Sequence, residues 1–152
     1  MRRFIADMSW YIVVAYVVFS MFIPLYKEEV VKNGVVTFNR LSLSNGYMWT
    51  MVLFFLFLAI LFQVKKMRGY SSFLSGLAAI ADGIGIALFC DQQNYNMASY
   101  SHEDSLIYGF SSFSGVTKVT ITKTSYGLYF VIAAVVLLAA ISIINLVVKN
   151  DG

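Results

Sequence analysis

Asp82 is the one ionisable side chain that falls deep inside an apolar segment of this sequence, the segment 72–90. It lies about ten residues from the near end of that segment, which at 1.5 Å per helical residue is about 15 Å and close to the middle of a lipid bilayer. A charge at that depth costs several kcal/mol, so such residues face the interior of a helix bundle and are candidates for function. Titration of this carboxyl group, or cation binding to it, would serve ion or proton transport.

A structural role for Asp82 stays open as well. The carboxyl group would then only fix the packing of the bundle, either protonated or hydrogen-bonded to hydroxyl groups on facing helices, for which the candidates are Tyr16, Ser20 and Thr50. A third interpretation is a polar contact with a partner subunit. The apolar segments contain no second acid and no base, which favours the structural interpretation over transport.

Four small residues at four-residue spacing mark one face of the same segment: Ser75, Ala79, Gly83 and Ala87. Small residues in this pattern let helix backbones approach closely, and faces of this kind associate inside membranes. The face predicts close helix packing, either within the chain or against a second copy or a partner. We therefore expect the helix that carries both this face and Asp82 to be the central packing element.

The remaining residues give little support to catalysis or metal binding. The single histidine, His102, stands next to Glu103 and Asp104, and adjacent residues on a helix do not converge on one metal ion. The single cysteine, Cys90, excludes an intrachain disulfide. The sequence contains no nucleophile–base arrangement, no phosphate-binding glycine loop and no basic patch interleaved with aromatic residues. We expect no enzyme, no metal, no cofactor and no nucleic-acid partner.

Four apolar segments must position these residues, and the composition is typical of a membrane protein. Of the 152 residues, 59% are hydrophobic and only 12% are charged, against about 25% charged in a soluble domain. A helix needs about 20 apolar residues to cross a bilayer. The sequence predicts a single membrane domain, 1–152, that folds as an all-α transmembrane four-helix bundle with helices at about 8–26, 47–64, 72–90 and 126–148.

The distribution of basic residues predicts the orientation of this bundle. The bases in the short segments fall on one side: Arg2, Arg3, Lys65, Lys66, Arg68 and Lys149. The longer segments 27–46 and 91–125 fall on the opposite side, where acids dilute the bases. Because short cytoplasmic loops carry the excess of Lys and Arg, both termini and the turn 65–71 are expected in the cytoplasm. The expected location is the inner or plasma membrane of the cell, in contact with its lipids.

The two outer segments contain strand patterns that predict a small extracytoplasmic antiparallel β-sheet. Asn33-Gly34 stands between β-branched residues, which is typical of a two-residue hairpin turn. The stretch 116–124 alternates with period two and is rich in β-branched residues, and a third strand makes a hairpin viable in water. Ser101 and Gly109 are expected to bound a short helix between these strands. The aromatic residues through which this cap would bind a partner are Phe38, Tyr108, Phe110 and Phe113.

Four helices with an outer sheet built from both outer loops resemble the plan of claudin-type proteins. Those proteins carry a tryptophan-containing motif and a cysteine pair in the first outer loop, and the segment 27–46 has neither, so no site residues are transferred. The preferred hypothesis is a non-enzymatic accessory subunit whose outer sheet binds a protein partner, or a second copy of the chain, because a sheet edge can pair with a partner strand. The alternative is a small oligomeric ion or proton channel or transporter that uses Asp82.

Overall fold

Four helices and three strands are formed by the residues that the computed structural model describes, 2–32, 35–107, 116–123 and 125–150. In chain order the elements are α1 (Arg2–Ser20), β1 (Pro24–Lys32), β2 (Val35–Ser42), α2 (Met48–Val64), α3 (Arg68–Ile107), β3 (Val116–Lys123) and α4 (Ser125–Asn150). A 3₁₀ segment, Leu43–Asn45, joins β2 to α2. The prediction of a mainly helical chain with a small antiparallel sheet is confirmed.

Two of these helices are long and apolar enough to cross a membrane: Arg68–Tyr95 within α3 and Tyr126–Val147 within α4, with 28 and 22 residues. The apolar parts of the other two, Ile5–Ser20 and Met48–Val64, are shorter. At 1.5 Å per residue, the 17 residues of α2 extend about 25 Å, against about 30 Å for the hydrocarbon core. By length and composition, the described part of the chain therefore has two candidate spans.

The first helix begins and ends earlier than the predicted segment 8–26. α1 ends at Ser20, and the N–H groups of Phe22 and Ile23 donate to carbonyls three residues back in a tighter turn. Pro24 then begins β1, because proline has no N–H to donate inside a helix. The prediction that a spanning helix continues to Tyr26 was wrong, since that residue lies in a strand.

The third helix is much longer than the predicted segment 72–90. α3 runs from Arg68 to Ile107, which is 40 residues and about 60 Å. Residues 86–107 contain no glycine and no proline, so the sequence has no strong stop signal after the apolar segment. The prediction of a separate short helix beginning at Ser101 was wrong, because those residues are the last turns of α3.

The helices approach most closely in three pairs, α2 with α3, α3 with α4, and α4 with α1. α3 therefore contacts a helix on each side, as the small residues along it predict. The core between the helices consists of nearly fully buried side chains, of which the largest are Trp10, Met21, Leu56 and Leu138. Burying a large apolar side chain contributes about 1.5–3 kcal/mol.

The three strands form one antiparallel sheet in the order β2-β1-β3. β1 and β2 are a hairpin in which Lys32 pairs with Val35. The predicted turn residues between them, Asn33 and Gly34, lie outside the described residues. β3 comes from the segment 91–125 and pairs along the other side of β1, so the prediction that the segments 27–46 and 91–125 build one sheet is confirmed.

Tyr26 attaches this sheet to the helices. Its side chain is fully buried, its hydroxyl donates a 3.4 Å hydrogen bond to Asn94 Oδ1, and its ring centre lies 6.1 Å from that of Phe89. Burial and, to a smaller degree, the neighbouring Cys90 thiol raise the pKa of Tyr26 to about 12. The sheet therefore rests on the part of α3 that follows Asp82.

Candidate functional site

Asp82 lies on the face of α3 that packs towards α2, and only 2% of the residue is exposed. Gly85 and Phe89 follow on the same face at helical spacing. A Cβ atom at Gly85 would stand 3.0 Å from Cβ of Met48, so the missing side chain is what allows α2 to come this close. The carboxyl group is thereby held in mainly apolar surroundings, where an unpaired polar group is costly.

The hydroxyl groups that were predicted to bond Asp82 are engaged elsewhere. Tyr16 Oη donates to a backbone carbonyl of α4 over 3.1 Å. Ser20 and Thr50 each donate to a carbonyl three residues back in the chain, over 2.7 Å. Asp82 Oδ2 is buried and has no hydrogen-bond partner in the described part of the chain. The structure therefore does not bring the predicted hydroxyls together with this carboxyl group.

A cavity of about 530 Å³ opens beside Asp82, between α2, α3 and the 3₁₀ segment. Its rim includes the exposed side chains of Tyr47, Leu88 and Gln92. Its walls are mainly apolar and aromatic with a few amide groups: Asn45, Met48, Trp49, Val52, Phe89 and Gln93. Among the lining residues, Asp82 is the one that can carry a charge. We call this space the Asp82 cavity.

Three of the four small residues predicted to mark a packing face are packed between helices of the same chain. Ser75 Oγ forms a 2.7 Å hydrogen bond with Ser142 Oγ of α4. Ala79 is buried, and a Cβ atom at Gly83 would contact a valine of α4 at 3.9 Å. Ala87 is exposed instead. Most of this face thus packs α3 against α4, which is one of the two predicted uses.

A wider groove of about 1110 Å³ runs along the outside of α3 and α4. Gly69, Gly76 and Gly83 line it at seven-residue spacing, and a Cβ atom at Gly76 would meet nothing within 4 Å. None of the lining residues is charged. The groove has the chemistry of a contact with lipid chains or with another apolar helix.

A polar network that the sequence interpretation missed joins all four helices. Asp7 of α1 accepts one 2.7 Å hydrogen bond from Gln63 of α2 and another from Arg68 of α3, with which it forms an ion pair. Asn145 of α4 donates to Gln63 Oε1 over 3.1 Å. Both amide side chains are buried, so they need each other as hydrogen-bond partners. The network links the start of α1 to the end of α2.

The sequence contained a signal for this network but not its geometry. Gln63 is the one polar residue in the apolar stretch 51–64, and Asn145 interrupts the apolar end of α4. Lone amides in apolar helices commonly form hydrogen bonds between helices. The identity of Asp7 as the partner depends on which helix ends meet, and that follows only from the fold.

β2 is the exposed strand of the sheet. Every residue from Val35 to Arg40 is exposed, and Phe38 is 73% exposed. Because β2 lies at the edge of the sheet, its outer row of N–H and C=O groups has no strand partner among the described residues. The other aromatic residues predicted for the cap lie outside the described residues: Tyr108, Phe110 and Phe113.

Comparison of the chain with protein-family models, with curated proteins and with solved structures finds no match. The resemblance to claudin-type proteins thus gains no support from these comparisons. Within the described ranges, no group of three or more His, Cys, Asp or Glu side chains is placed to hold a metal ion. The Asp82 cavity, the network around Gln63 and the edge of β2 are thus the three features from which a function can be argued.

Proposed function

We propose that this chain is a non-enzymatic multi-pass protein of the cell membrane whose extracytoplasmic sheet binds a protein partner along the free edge of β2. In this proposal four helices cross the membrane and both termini are cytoplasmic. The observation that carries it is an edge strand with apolar side chains exposed on both of its faces. The membrane location, the orientation and the partner are each supported by a separate feature.

Apolar side chains on the outside of the helices support the membrane location, including that of the two shorter helices. α2 exposes one such residue on nearly every turn: Met51, Phe54, Phe57, Leu61 and Val64. In a soluble bundle the outward face of a helix is polar. A contiguous apolar surface of this extent needs a cover, and lipid supplies it. A helix somewhat shorter than the hydrocarbon core crosses at modest cost, through local thinning of the bilayer.

The turn between α2 and α3 supports the cytoplasmic placement of this end of the bundle. Lys66 has a φ of 59°, in the left-handed region that favours glycine, and its N–H donates to the carbonyl of Gln63 as in a glycine-ended helix. A side chain in this conformation costs about 1–2 kcal/mol. A lysine kept at that cost, beside Lys65, fits the excess of positive charge on cytoplasmic turns.

The two edges of the sheet differ in a way that supports β2 as the binding edge. β3 contains two lysines, Lys118 near its start and Lys123 at its end, and charged residues of this kind discourage pairing with other strands. In β2 the exposed stretch contains Val35, Val36 and Phe38 with a single charge at Arg40. An unprotected apolar edge is an aggregation hazard unless a partner covers it. Strand addition by a protein partner removes the hazard and uses the free backbone groups.

Site-specific photo-crosslinking in native membranes tests this proposal. A photoreactive residue replaces Thr37 on β2 in one variant and Thr122 on β3 in a matched control, since both threonines are exposed. We expect a discrete heavier adduct from position 37 and none from position 122. Phe38→Lys should abolish the adduct because the charge blocks pairing, whereas Thr122→Lys should leave it intact.

The outcomes of the crosslinking experiment separate three cases. An adduct of twice the 17.0 kDa chain identifies a second copy as the partner. A heavier adduct of another mass identifies a different protein. No adduct at position 37, or equal adducts at both positions, would contradict the proposal.

A second candidate function, a small oligomeric ion or proton channel or transporter, is favoured by the unpartnered Asp82 carboxyl group beside a cavity. Flux measured in liposomes with the native protein and with Asp82→Asn tests it. This function requires flux that the substitution abolishes. Flux that is absent, or that is unchanged by the substitution, rules it out.

A further inference from the structure

The Asp82 cavity has features that the partner-binding edge does not explain. Asp82 is 2% exposed, and its Oδ2 atom has no hydrogen-bond partner within the described residues. A buried carboxyl group without a partner costs stability, so its retention beside an open space points to a ligand. The cavity lies at the junction of α2, α3 and the 3₁₀ segment, where Leu41 at the end of β2 also lines it. The exposed residues of β2, Val35 to Arg40, are not part of the lining.

The size of the cavity limits the class of ligand. About 530 Å³ falls in the range of sites for small organic molecules, roughly 300–1,000 Å³. A bare divalent metal ion needs several oxygen or nitrogen ligands around a space of a few ångströms. Asp82 supplies the one carboxylate of the lining, and Gln93 is the one buried side-chain amide. The amides of Asn45 and Gln92 are exposed, and Asn45 Oδ1 already accepts hydrogen bonds from Ser42. An organic molecule suits this space better than a metal ion.

The charge and polarity of the lining define the ligand further. The described lining contains one acid and no lysine, arginine or histidine, so a positive charge must come from the ligand. Trp49 and Phe89 offer aromatic surfaces, which attract organic cations. The remaining walls, among them Met48 and Val52, are apolar and suit a hydrophobic body.

We propose that the Asp82 cavity binds an amphiphilic organic monocation, with the cationic group near the Asp82 carboxylate and the apolar body against α2 and α3. The exposed side chains of Tyr47, Leu88 and Gln92 mark the entrance. The ligand reaches the carboxylate from the end of the bundle that carries the sheet. This site is independent of the free edge of β2, so either proposal can fail without the other.

The test is equilibrium dialysis of the purified full-length protein in detergent with labelled tetraphenylphosphonium. Tetraphenylborate, which has the same shape and the opposite charge, is the matched probe. We expect saturable binding of the phosphonium and no saturable binding of the borate. Asp82→Asn should weaken phosphonium binding by about thirtyfold or more, because it removes one member of a desolvated charge pair.

Two further variants make the test independent of any damage to the fold. Asp91→Asn removes an exposed acid of α3 that is not part of the lining, and we expect it to bind the phosphonium like the native protein. Gln92→Lys places a positive charge at the exposed rim, where the fold tolerates it, and should weaken binding several-fold by repulsion. If Asp82→Asn does not fold, the test of the site is the difference in phosphonium binding between Gln92→Lys and Asp91→Asn.

Three results would overturn the proposal. They are the absence of saturable phosphonium binding, binding of the borate as tight as that of the phosphonium, and equal phosphonium binding by the native protein and by folded Asp82→Asn. If Asp82→Asn does not fold, phosphonium binding by Gln92→Lys that equals native binding would overturn the proposal instead.

Discussion

Two buried polar side chains of this protein differ in how far their hydrogen bonds are satisfied. Gln63 donates to Asp7 and accepts from Asn145, so its amide group has partners on both sides. Asp82 has an oxygen without a partner in the described part of the chain. A satisfied buried group stabilises one arrangement of the helices. Other buried atoms also lack a partner, among them Asn145 Oδ1 and Trp10 Nε1, but Asp82 is the acid among them and lines a cavity. Gln63 therefore has a structural role, whereas for Asp82 we propose a binding role.

The structural role of Gln63 predicts the effect of Gln63→Leu. The substitution leaves the buried Asn145 amide without its acceptor, so the free energy of unfolding should fall by about 1–3 kcal/mol. The exposed Gln92→Leu is the control and should change it by less than about 0.5 kcal/mol. Adding Asn145→Leu to Gln63→Leu should recover part of the loss, because no orphaned amide remains. Thermal unfolding in detergent compares the three variants with the native protein. A double variant no more stable than Gln63→Leu would contradict this role.

The raised pKa of Tyr26 predicts how stability depends on alkaline pH. The unfolded chain loses this proton near pH 10 and the folded chain near pH 12, so between these values the unfolded state binds fewer protons. The free energy of unfolding should therefore fall by about 1.4 kcal/mol per pH unit from this group. Tyr26→Phe removes that contribution and leaves every other ionisable side chain in place. From pH 9 to 12, the free energy of unfolding should fall less steeply in Tyr26→Phe than in the native protein. Parallel curves for the two proteins would show that Tyr26 does not cause the fall.

At the scale of elements, the contact between α2 and α3 depends on Gly85. A Cβ atom there would meet Met48 Cβ at 3.0 Å, whereas one at Gly76 would meet nothing within 4 Å. Gly76→Ala should raise stability slightly, because alanine is the better helix former by about 1 kcal/mol. Gly85→Ala should be less stable than Gly76→Ala by about 1–3 kcal/mol through the forced shift of the helices. Equal unfolding temperatures for the two variants would mean that this contact is not tight.

At the end of α2, a substitution by glycine is expected to raise stability. Lys66 has a φ of 59°, which glycine adopts freely, whereas the preceding Lys65 has a φ of −75°. Lys66→Gly should therefore raise the free energy of unfolding by about 1 kcal/mol. Lys65→Gly, with the same loss of charge, should not raise it. A gain in both variants would indicate that charge repulsion, not backbone conformation, is relieved.

Local patterns predicted the strands better than the helix ends. The hairpin and β3 follow from period-two alternation and from Asn33-Gly34, because strand pairing here uses neighbouring or strongly β-forming segments. Hydropathy located the helices but not their ends. The hydropathy pattern predicted that the first helix continues past Pro24, whereas α1 ends at Ser20. It also predicted that the third helix ends at Cys90, whereas α3 continues through polar residues as far as Ile107.

The candidate sites were predictable only as single residues. Asp82 stands out because an acid in an apolar segment is rare, but its surroundings depend on the approach of α2 at Gly85. Ser20 and Thr50, which were predicted to bond Asp82, instead donate to backbone carbonyls three residues back in the chain, which is usual for Ser and Thr in helices. Asp7 was overlooked because it precedes the first apolar segment, and its partners come from two other helices.

At the scale of the whole molecule, the proposal places the two ends of the bundle in different compartments. The network around Gln63 and the lysine turn lie at the cytoplasmic end, and the sheet and the mouth of the Asp82 cavity lie at the other. The partner-binding edge and the cation site then both face outward. This arrangement requires each helix to cross the bilayer once.

Cysteine accessibility tests this arrangement most directly. In a Cys90→Ser background, single cysteines are placed ahead of Met1, at Thr37, at Lys65, at Thr122 and after Gly152. A membrane-impermeant maleimide is then applied to sealed right-side-out vesicles, before and after permeabilisation. The proposal predicts that the cysteines at Thr37 and Thr122 react at once and that the other three react only after permeabilisation. Each helix lies between two of these cysteines. If the two cysteines that flank any one helix become reactive at the same step, that helix does not cross the membrane, and the proposed four-span protein with an outer sheet is contradicted.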